Sequence, residues 1–185
     1  MSALPSLRIG IAGLGRMGKR HAEQLARRTR GAALVAACSP IADERAWAQQ
    51  ELGVQRLYER YEDLVADREL GAVVIATPTT QHADQTIAAL EAGHHVFCEK
   101  PLALDVAACE RVLAVAAQRP KQIAMVGFVR RFDPSCAQAK ADIDAGRIGR
   151  PFLVRSQTGD MNDPQGFFVR FAPTSGGIFL DCSVH

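Results

Sequence analysis

Apolar positions along the chain follow two rhythms that take turns. Leu7, Ile9 and Ile11, with Ala12, lead into Gly13-Leu14-Gly15-Arg16-Met17-Gly18, a strand-like run ending in glycines. Residues 16–28 then change to helical spacing and would bury Met17 and Leu25. Residues 32–38 (AALVAAC) are apolar without a break, as in a strand covered on both faces. Residues 42–52 read as a helix stopped by Gly53. Residues 71–76 (GAVVIA) are a second buried strand. Residues 81–92 are a helix with Thr80 as N-cap and Gly93 at its end. Residues 95–98 form a short strand, Asp105 opens a helix running to about Arg119, Pro120 stops it, and residues 122–128 are again strand-like.

Strand and helix in strict alternation predict an α/β fold. Parallel neighbours need crossover helices, so the sheet is Rossmann-type, parallel and doubly wound. A nucleotide then binds beyond the carboxyl ends of the strands, where the strand order reverses. The pattern changes near residue 128. Asp133-Pro134 has the N-cap and N1 residues of a new helix, Gly146 ends it, residues 151–156 look like a strand, and residues 157–177 look like loop. This predicts a dinucleotide-binding domain over residues 1–127 and the incomplete start of an α+β substrate domain over residues 128–185. Elements of that second domain begin without a complete core, so the expectation is a fragment or truncated product of a longer protein.

Composition narrows the class. With 185 residues, 48% hydrophobic and 23% charged, the chain is ordinary for a soluble globular protein. A net charge of +2 gives no reason to expect nucleic acid or membrane partners. No apolar run approaches the ~20 residues of a membrane span. No charged segment precedes the apolar part of the N-terminus, so no signal peptide is expected and a cytoplasmic location is the default. The five cysteines (Cys38, Cys98, Cys109, Cys136 and Cys182) are scattered and never in C-x-x-C spacing, which argues against a zinc site or a disulfide framework.

The glycine run is G-x-G-x-x-G between a strand and a helix. Gly13 permits the tight turn, Gly15 lets a pyrophosphate approach the backbone, and Gly18 lets the helix pack close to the strand. Gly13, Gly15 and Met17 would lie nearest the diphosphate, which the helix N–H groups and dipole attract. About 20 residues further on, where an acidic side chain would meet the adenosine ribose, stands Ser39. Its hydroxyl suits either ribose form. Arg45, with Arg16 from the glycine turn, offers charge for a 2′-phosphate and tilts the expectation from NAD toward NADP. Alternatively, Ser39 merely sits in a turn and Asp43 or Glu44 does the selecting. Thr77-Pro78-Thr79-Thr80 follows a strand and would face the cofactor cleft, with His82 just inside the next helix. Glu99-Lys100-Pro101 follows another strand. A lysine there suits a substrate hydroxyl, although a surface ion pair is an equally simple reading. Asp181 and His185 stand four apart, one face of a helix, and carboxylate plus imidazole suits proton transfer from an alcohol. His21, His94 and His95 read as structural or surface residues.

Taken together, GIAGLGRMGKRH, VVIATPTTQHADQTIAALEAGHHVFCEKPLA, VGFVRRFDP and GGIFLDCSVH resemble the glucose-fructose oxidoreductase/inositol dehydrogenase/rhizopine-catabolism family, and within it the inositol dehydrogenases. The resemblance extends from about Leu7 to the last residue. It implies an NAD(P)-dependent oxidoreductase of a polyol or sugar. Lys100 would bind the reacting hydroxyl, His185 would accept its proton, and Asp181 would help bind the substrate. Thr77, Pro78, His82 and Glu99 would line the cofactor cleft. Arg130, Asp160 and Asn162 are further substrate-side candidates. The family's second domain is a large antiparallel sheet used for substrate binding and oligomerisation, so the resemblance implies a homo-oligomer for the full-length protein. Ser39 stands where many NAD-using relatives carry an aspartate. The competing function is a catalytically silent dinucleotide-binding module on the same fold. A hydrolase or lyase working by redox cycling has no signature of its own here.

Overall fold

The computed structural model describes residues 6–157, 175–177 and Leu180. The chain divides into two compact units, Met1–Val126 and Gly127–His185. The first unit runs β1 (Leu7–Ala12), α1 (Arg16–Arg27), β2 (Ala32–Cys38), α2 (Ala42–Leu52), β3 (Arg56–Tyr58), α3 (Tyr61–Val65), β4 (Ala72–Ile75), α4 (Thr79–Glu91), β5 (His95–Cys98), α5 (Val106–Ala117) and β6 (Ala124–Val126). Its six strands form one sheet in the order β3-β2-β1-β4-β5-β6. Every neighbouring pair is parallel. The chain winds outward from β1 to β3, returns, and lays β4 on the other side of β1. The reversal between β1 and β4 opens a crevice at the carboxyl ends of these two strands.

Strand alternation divides the core in two. Ile9 and Ile11 of β1 and Ala72 and Val74 of β4 join Leu14, Ala22, Ala37, Ala48 and Val54 against α1 and α2. Ala12, Val73 and Ile75 point the other way and join Leu64, Ala89, Leu90, Val96 and Cys98 against α3 and α4. A smaller cluster of Ala83, Ala103 and Val112 joins α4 to α5. The sheet centre is thus buried on both faces, and its carboxyl edge can hold a site rigidly.

The predicted elements reappear with local changes. Gly53, at φ 69°, ends α2 as expected. Asp105 caps α5, its side chain accepting from the Ala108 N–H at 2.8 Å. The predicted N-cap at Thr80 does not form. α4 begins at Thr79 after Pro78, because proline fixes its own φ and needs no partner for an N–H. The strand β3 and the short helix α3 have no counterpart in the sequence reading. β3 is a three-residue edge strand opened by a charged Arg56, too short for its alternation to register. It is tied down by Asp67, which accepts from Arg56 Nη1 at 2.9 and 3.0 Å and from the Tyr58 hydroxyl at 3.0 Å.

In the second unit, a short 3-10 helix (Val129–Phe132) precedes α6 (Pro134–Asp144). Asp133 caps α6, accepting from the Ser135 and Cys136 N–H groups at 3.0 Å each. The strand expected over residues 151–156 is not formed. That stretch carries neither helix nor strand and is exposed, Phe152 at 99%. No strand among the described residues pairs with it, and an extended segment without a neighbour leaves its backbone groups to water. Much of the loop predicted over residues 157–177 lies outside the described residues.

Candidate cofactor and active site

The glycine turn sits at the crevice between β1 and β4. The Gly13 N–H donates to the Cys38 carbonyl at 2.9 Å, and the Ala76 N–H donates to the Ala12 carbonyl at 2.8 Å. Gly13 has φ 86°, and a Cβ there would stand 2.6 Å from the Ala76 carbonyl oxygen and 2.7 Å from the Thr77 nitrogen. Backbone cannot yield to that contact, so glycine is required. At Gly18 an added Cβ would collide with the Gly13 carbonyl oxygen, which is how α1 comes so close to the strand. Gly15 differs. It is the N-cap of α1 at φ −67° and ψ −166°, and nothing lies within 4 Å of an added Cβ. Its outer face is open space, and no acidic residue occupies the first turn of α1. The first N–H groups of a helix lack internal partners. This cradle therefore fits a dinucleotide diphosphate. Arg16 is exposed and Met17 half-buried beside it.

Ser39 directly follows β2 beside this turn but is 1% exposed. Its hydroxyl spends its one proton on Glu44 Oε2 at 2.5 Å and accepts from the Ile41 N–H at 3.1 Å. Arg45 turns its Nη1 onto the Ser39 carbonyl at 2.6 Å and its Nη2 toward Glu59 at 3.4 Å. The Glu44 carboxylate that receives the Ser39 proton is half-buried.

At the end of β4, the Thr77 hydroxyl donates to Gln85 Oε1 at 2.6 Å, and Pro78 is exposed. His82 is not an exposed cleft residue. It is 2% exposed, with Nε2 2.8 Å from the Thr77 carbonyl oxygen and Nδ1 2.7 Å from the Pro101 carbonyl oxygen. At the end of β5, Glu99 is likewise turned inward. Its Oε1 accepts from His21 Nε2 at 2.6 Å, and its Oε2 accepts from the Lys100 N–H at 3.1 Å. Burial pushes the Glu99 carboxyl up; the His21 hydrogen bond and charge, with the N–H and ammonium of Lys100, outweigh this and hold it below the usual carboxylate range. Lys100 is half-buried between these anchors, and its bond to Pro101 is cis.

Gly13, Gly15, Arg16, Met17, Ser39, Arg45, Thr77, Pro78, His82, Glu99 and Lys100 thus lie at or just behind the carboxyl ends of four strands. Arg130 belongs to the second unit, in the 3-10 helix, 3.9 Å from Asp133. Asp160, Asn162, Asp181 and His185 lie outside the described residues. His21 is the site residue that sequence reasoning passed over. Its available signal was position: within one helical turn of Gly18, on the helix that the glycine turn opens. Burial pushes the thiols of Cys38 and Cys98 up to about 11 and about 12, so both stay protonated near neutral pH. Among the described residues no cluster of side chains could hold a metal ion, and no helix is long and apolar enough to cross a membrane.

A parallel sheet in this order, with a glycine turn at its switch point and a lysine at the end of β5, defines the class: a dinucleotide-binding Rossmann domain of an oxidoreductase. The chain belongs to the glucose-fructose oxidoreductase/inositol dehydrogenase/rhizopine-catabolism family, described as an oxidoreductase family with an NAD-binding Rossmann fold, whose model matches residues 7–128. It is 40% identical over 183 residues to scyllo-inositol 2-dehydrogenase (NAD(+)) of Bacillus subtilis, covering 97% of this chain and 51% of that protein. It is 36% identical over 180 residues to myo-inositol 2-dehydrogenase of Thermotoga maritima, covering 97% and 52%. A crystal structure of scyllo-inositol dehydrogenase from Lactobacillus casei with bound NAD(H) and scyllo-inositol superposes with a TM-score of 0.91 at 43% identity, covering 97% of this chain and 54% of that one. The chain spans about half the length of these relatives. The tilt toward NADP finds no support. The family binds NAD, Arg45 is drawn to backbone and Glu59, and the buried Ser39 hydroxyl gives its proton to Glu44.

Proposed function

We propose that the protein is an NAD-dependent dehydrogenase of an inositol-like polyol. The observation that carries this reading is the position of Lys100 at the carboxyl end of β5, in the sheet whose switch point holds the glycine cradle. The names of the relatives cited above, which are inositol dehydrogenases, support the substrate class. The open face of Gly15 and the first N–H groups of α1 hold the diphosphate. The Glu44 carboxylate, steadied by Ser39, accepts from the 2′-hydroxyl of the adenosine ribose and repels a 2′-phosphate, which favours NAD over NADP. Bound NAD supplies the hydride acceptor at nicotinamide C4.

The residues of the chain do the remaining work. The Lys100 ammonium donates to the reacting hydroxyl and stabilises the alkoxide that develops on its oxygen. His185 takes the hydroxyl proton as the ring C–H leaves with its electron pair, and Asp181 holds the substrate and orients the imidazole. The secondary alcohol becomes a ketone. Arg130, Asp160 and Asn162 contact the remaining hydroxyls, and the full-length protein works as a homo-oligomer.

The test is formation of NADH, by near-ultraviolet absorbance, when the full-length protein meets myo-inositol, scyllo-inositol and a panel of sugars with NAD or NADP. Turnover of an inositol with NAD, lowered about 10²-fold or more by Lys100→Ala, is the expected result. A folded protein that binds NADH yet oxidises no polyol or sugar overturns the reading in favour of a silent binding module.

A further inference from the structure

Lys100 is flanked by two anchored neighbours, and each anchor is a histidine. On one side Glu99 spends both carboxylate oxygens inside the protein, one on His21 Nε2 at 2.6 Å and one on the Lys100 N–H at 3.1 Å. The His21 ring is itself steadied by an edge-on contact with Phe97, centroids 5.5 Å apart. On the other side the Pro101 carbonyl oxygen lies 2.7 Å from His82 Nδ1, while the second nitrogen of that ring reaches the Thr77 carbonyl oxygen at 2.8 Å. Nε2 of His21 and both nitrogens of His82 are thus directed onto this turn and its neighbours.

The two rings come from informative places. His21 stands on α1, whose N-terminus forms the diphosphate cradle. His82 stands on α4, which starts beside the Thr77 turn. Each therefore ties the Lys100 turn to an element that lines the cofactor crevice. A reacting group must be held to within a fraction of an ångström, since a misplacement of about 1 Å costs roughly 10²-fold in rate. A lysine on an unsupported turn has a long, mobile side chain on a mobile backbone. Here both neighbours of the lysine are held by side chains of α1 and α4, the helices that open at the crevice.

We propose that His21 and His82 are positioning residues for Lys100: His21 acts through Glu99, and His82 through the Pro101 carbonyl. The catalytic part of this inference rests on the dehydrogenase reading above. The anchoring part does not. Competitive acylation of the folded chain with limiting acetic anhydride reads the Lys100 amine directly by mass spectrometry, with Lys121 and Lys140 as internal references. His21→Leu removes the donor to Glu99, and His21→Gln keeps one. Loosening the turn exposes the amine, so Lys100 should label faster by about threefold or more in His21→Leu, the size of a modest local opening, and return toward wild type in His21→Gln. Glu99→Gln, at the half-buried pair, gives the same readout should the leucine variant fail to fold, and His82→Gln tests the other anchor. In the full-length enzyme, kcat should fall about tenfold or more in His21→Leu with the NADH dissociation constant unchanged. Unchanged Lys100 labelling and unchanged kcat in folded His21→Leu and His82→Gln variants overturn the proposal. A wild-type enzyme that turns over no polyol instead overturns the dehydrogenase reading and leaves the labelling result standing.

Discussion

Replacing Gly15 by valine separates what the glycine turn does for the fold from what it does for the ligand. Gly15 has φ −67° and ψ −166°, extended backbone that valine adopts without strain. An added Cβ meets no protein atom within 4 Å. The fold therefore loses only the difference between glycine and valine at an N-cap, about 0.5–1 kcal/mol, or about 1–4 °C in Tm for a chain of this size. The added branched carbon fills the space in which a diphosphate must approach the N-terminus of α1. NADH affinity should fall by at least about tenfold, or ~1.4 kcal/mol. Gly13→Ala is the contrasting control. Its φ of 86° and the 2.6 Å approach to the Ala76 carbonyl oxygen should destabilise the fold by about 2 kcal/mol or more, combining left-handed strain with a backbone clash. Thermal unfolding and NADH fluorescence titration on both variants make the comparison. Gly15→Val binding NADH like wild type would refute the placement of the diphosphate. Gly15→Val losing as much stability as Gly13→Ala would refute the reading of that face as open.

Three further outcomes are expected. Glu44→Gln keeps the shape at the ribose edge and removes its charge, so the ratio of NADPH to NADH affinity should rise by about tenfold; an unchanged ratio in paired titrations would assign the discrimination elsewhere. Asp67→Asn should cost about 1–3 kcal/mol by urea unfolding at neutral pH, because the carboxylate accepts from Arg56, Tyr58 and the Glu69 N–H. Burial pushes this carboxyl up, but Arg56, the Glu69 N–H and Tyr58 hold it below its ordinary value; its stabilisation is therefore complete above the unfolded value near 3.9 and is lost as pH falls through the folded one. The gap between wild type and variant should close in acid, and a gap that persists at about pH 2 would contradict this. Asp105→Ala removes the acceptor that caps α5 and should lower stability by about 1 kcal/mol, read as a downward shift in Tm; an unchanged Tm would show that the cap carries no net weight.

The first-unit sheet was legible because its strands are covered on both faces. Residues 32–38 and 71–76 had to be apolar throughout, and that leaves an unmistakable run. The glycine turn was legible because each glycine answers a separate steric demand. β3 and α3 were not, since an edge strand of three residues opened by Arg56 is fastened by polar contacts to Asp67 and carries no apolar rhythm. Residues 151–156 failed in the opposite way. Their composition suits a strand, but a strand is a paired object, and composition says nothing about a partner. In the site, the identity of Glu99 and His82 as residues of the crevice was legible, whereas the direction of their side chains was not. Both face inward, onto His21 and onto the backbone of Thr77 and Pro101. Hydrogen-bond direction is set across 78 residues of sequence separation between His21 and Glu99, a distance no local pattern spans.

That inward direction bears on what kind of protein this is. A module that only binds a dinucleotide needs the diphosphate cradle of β1 and the ribose contact of β2. It gains nothing from a lysine at the end of β5 whose neighbours are each tied to a helix of the cofactor crevice. Withdrawing a carboxylate and imidazoles from water is costly unless they find polar partners; here both Glu99 oxygens accept hydrogen bonds, one of them from His21 Nε2, and each His82 nitrogen lies within 2.8 Å of a carbonyl oxygen. Polar groups at such cost, arranged around one lysine, are better explained by a demand on the position of that lysine than by affinity for the cofactor. The expenditure of buried polar groups therefore favours chemistry at Lys100 over silent binding, and it does so from the nucleotide-binding unit alone.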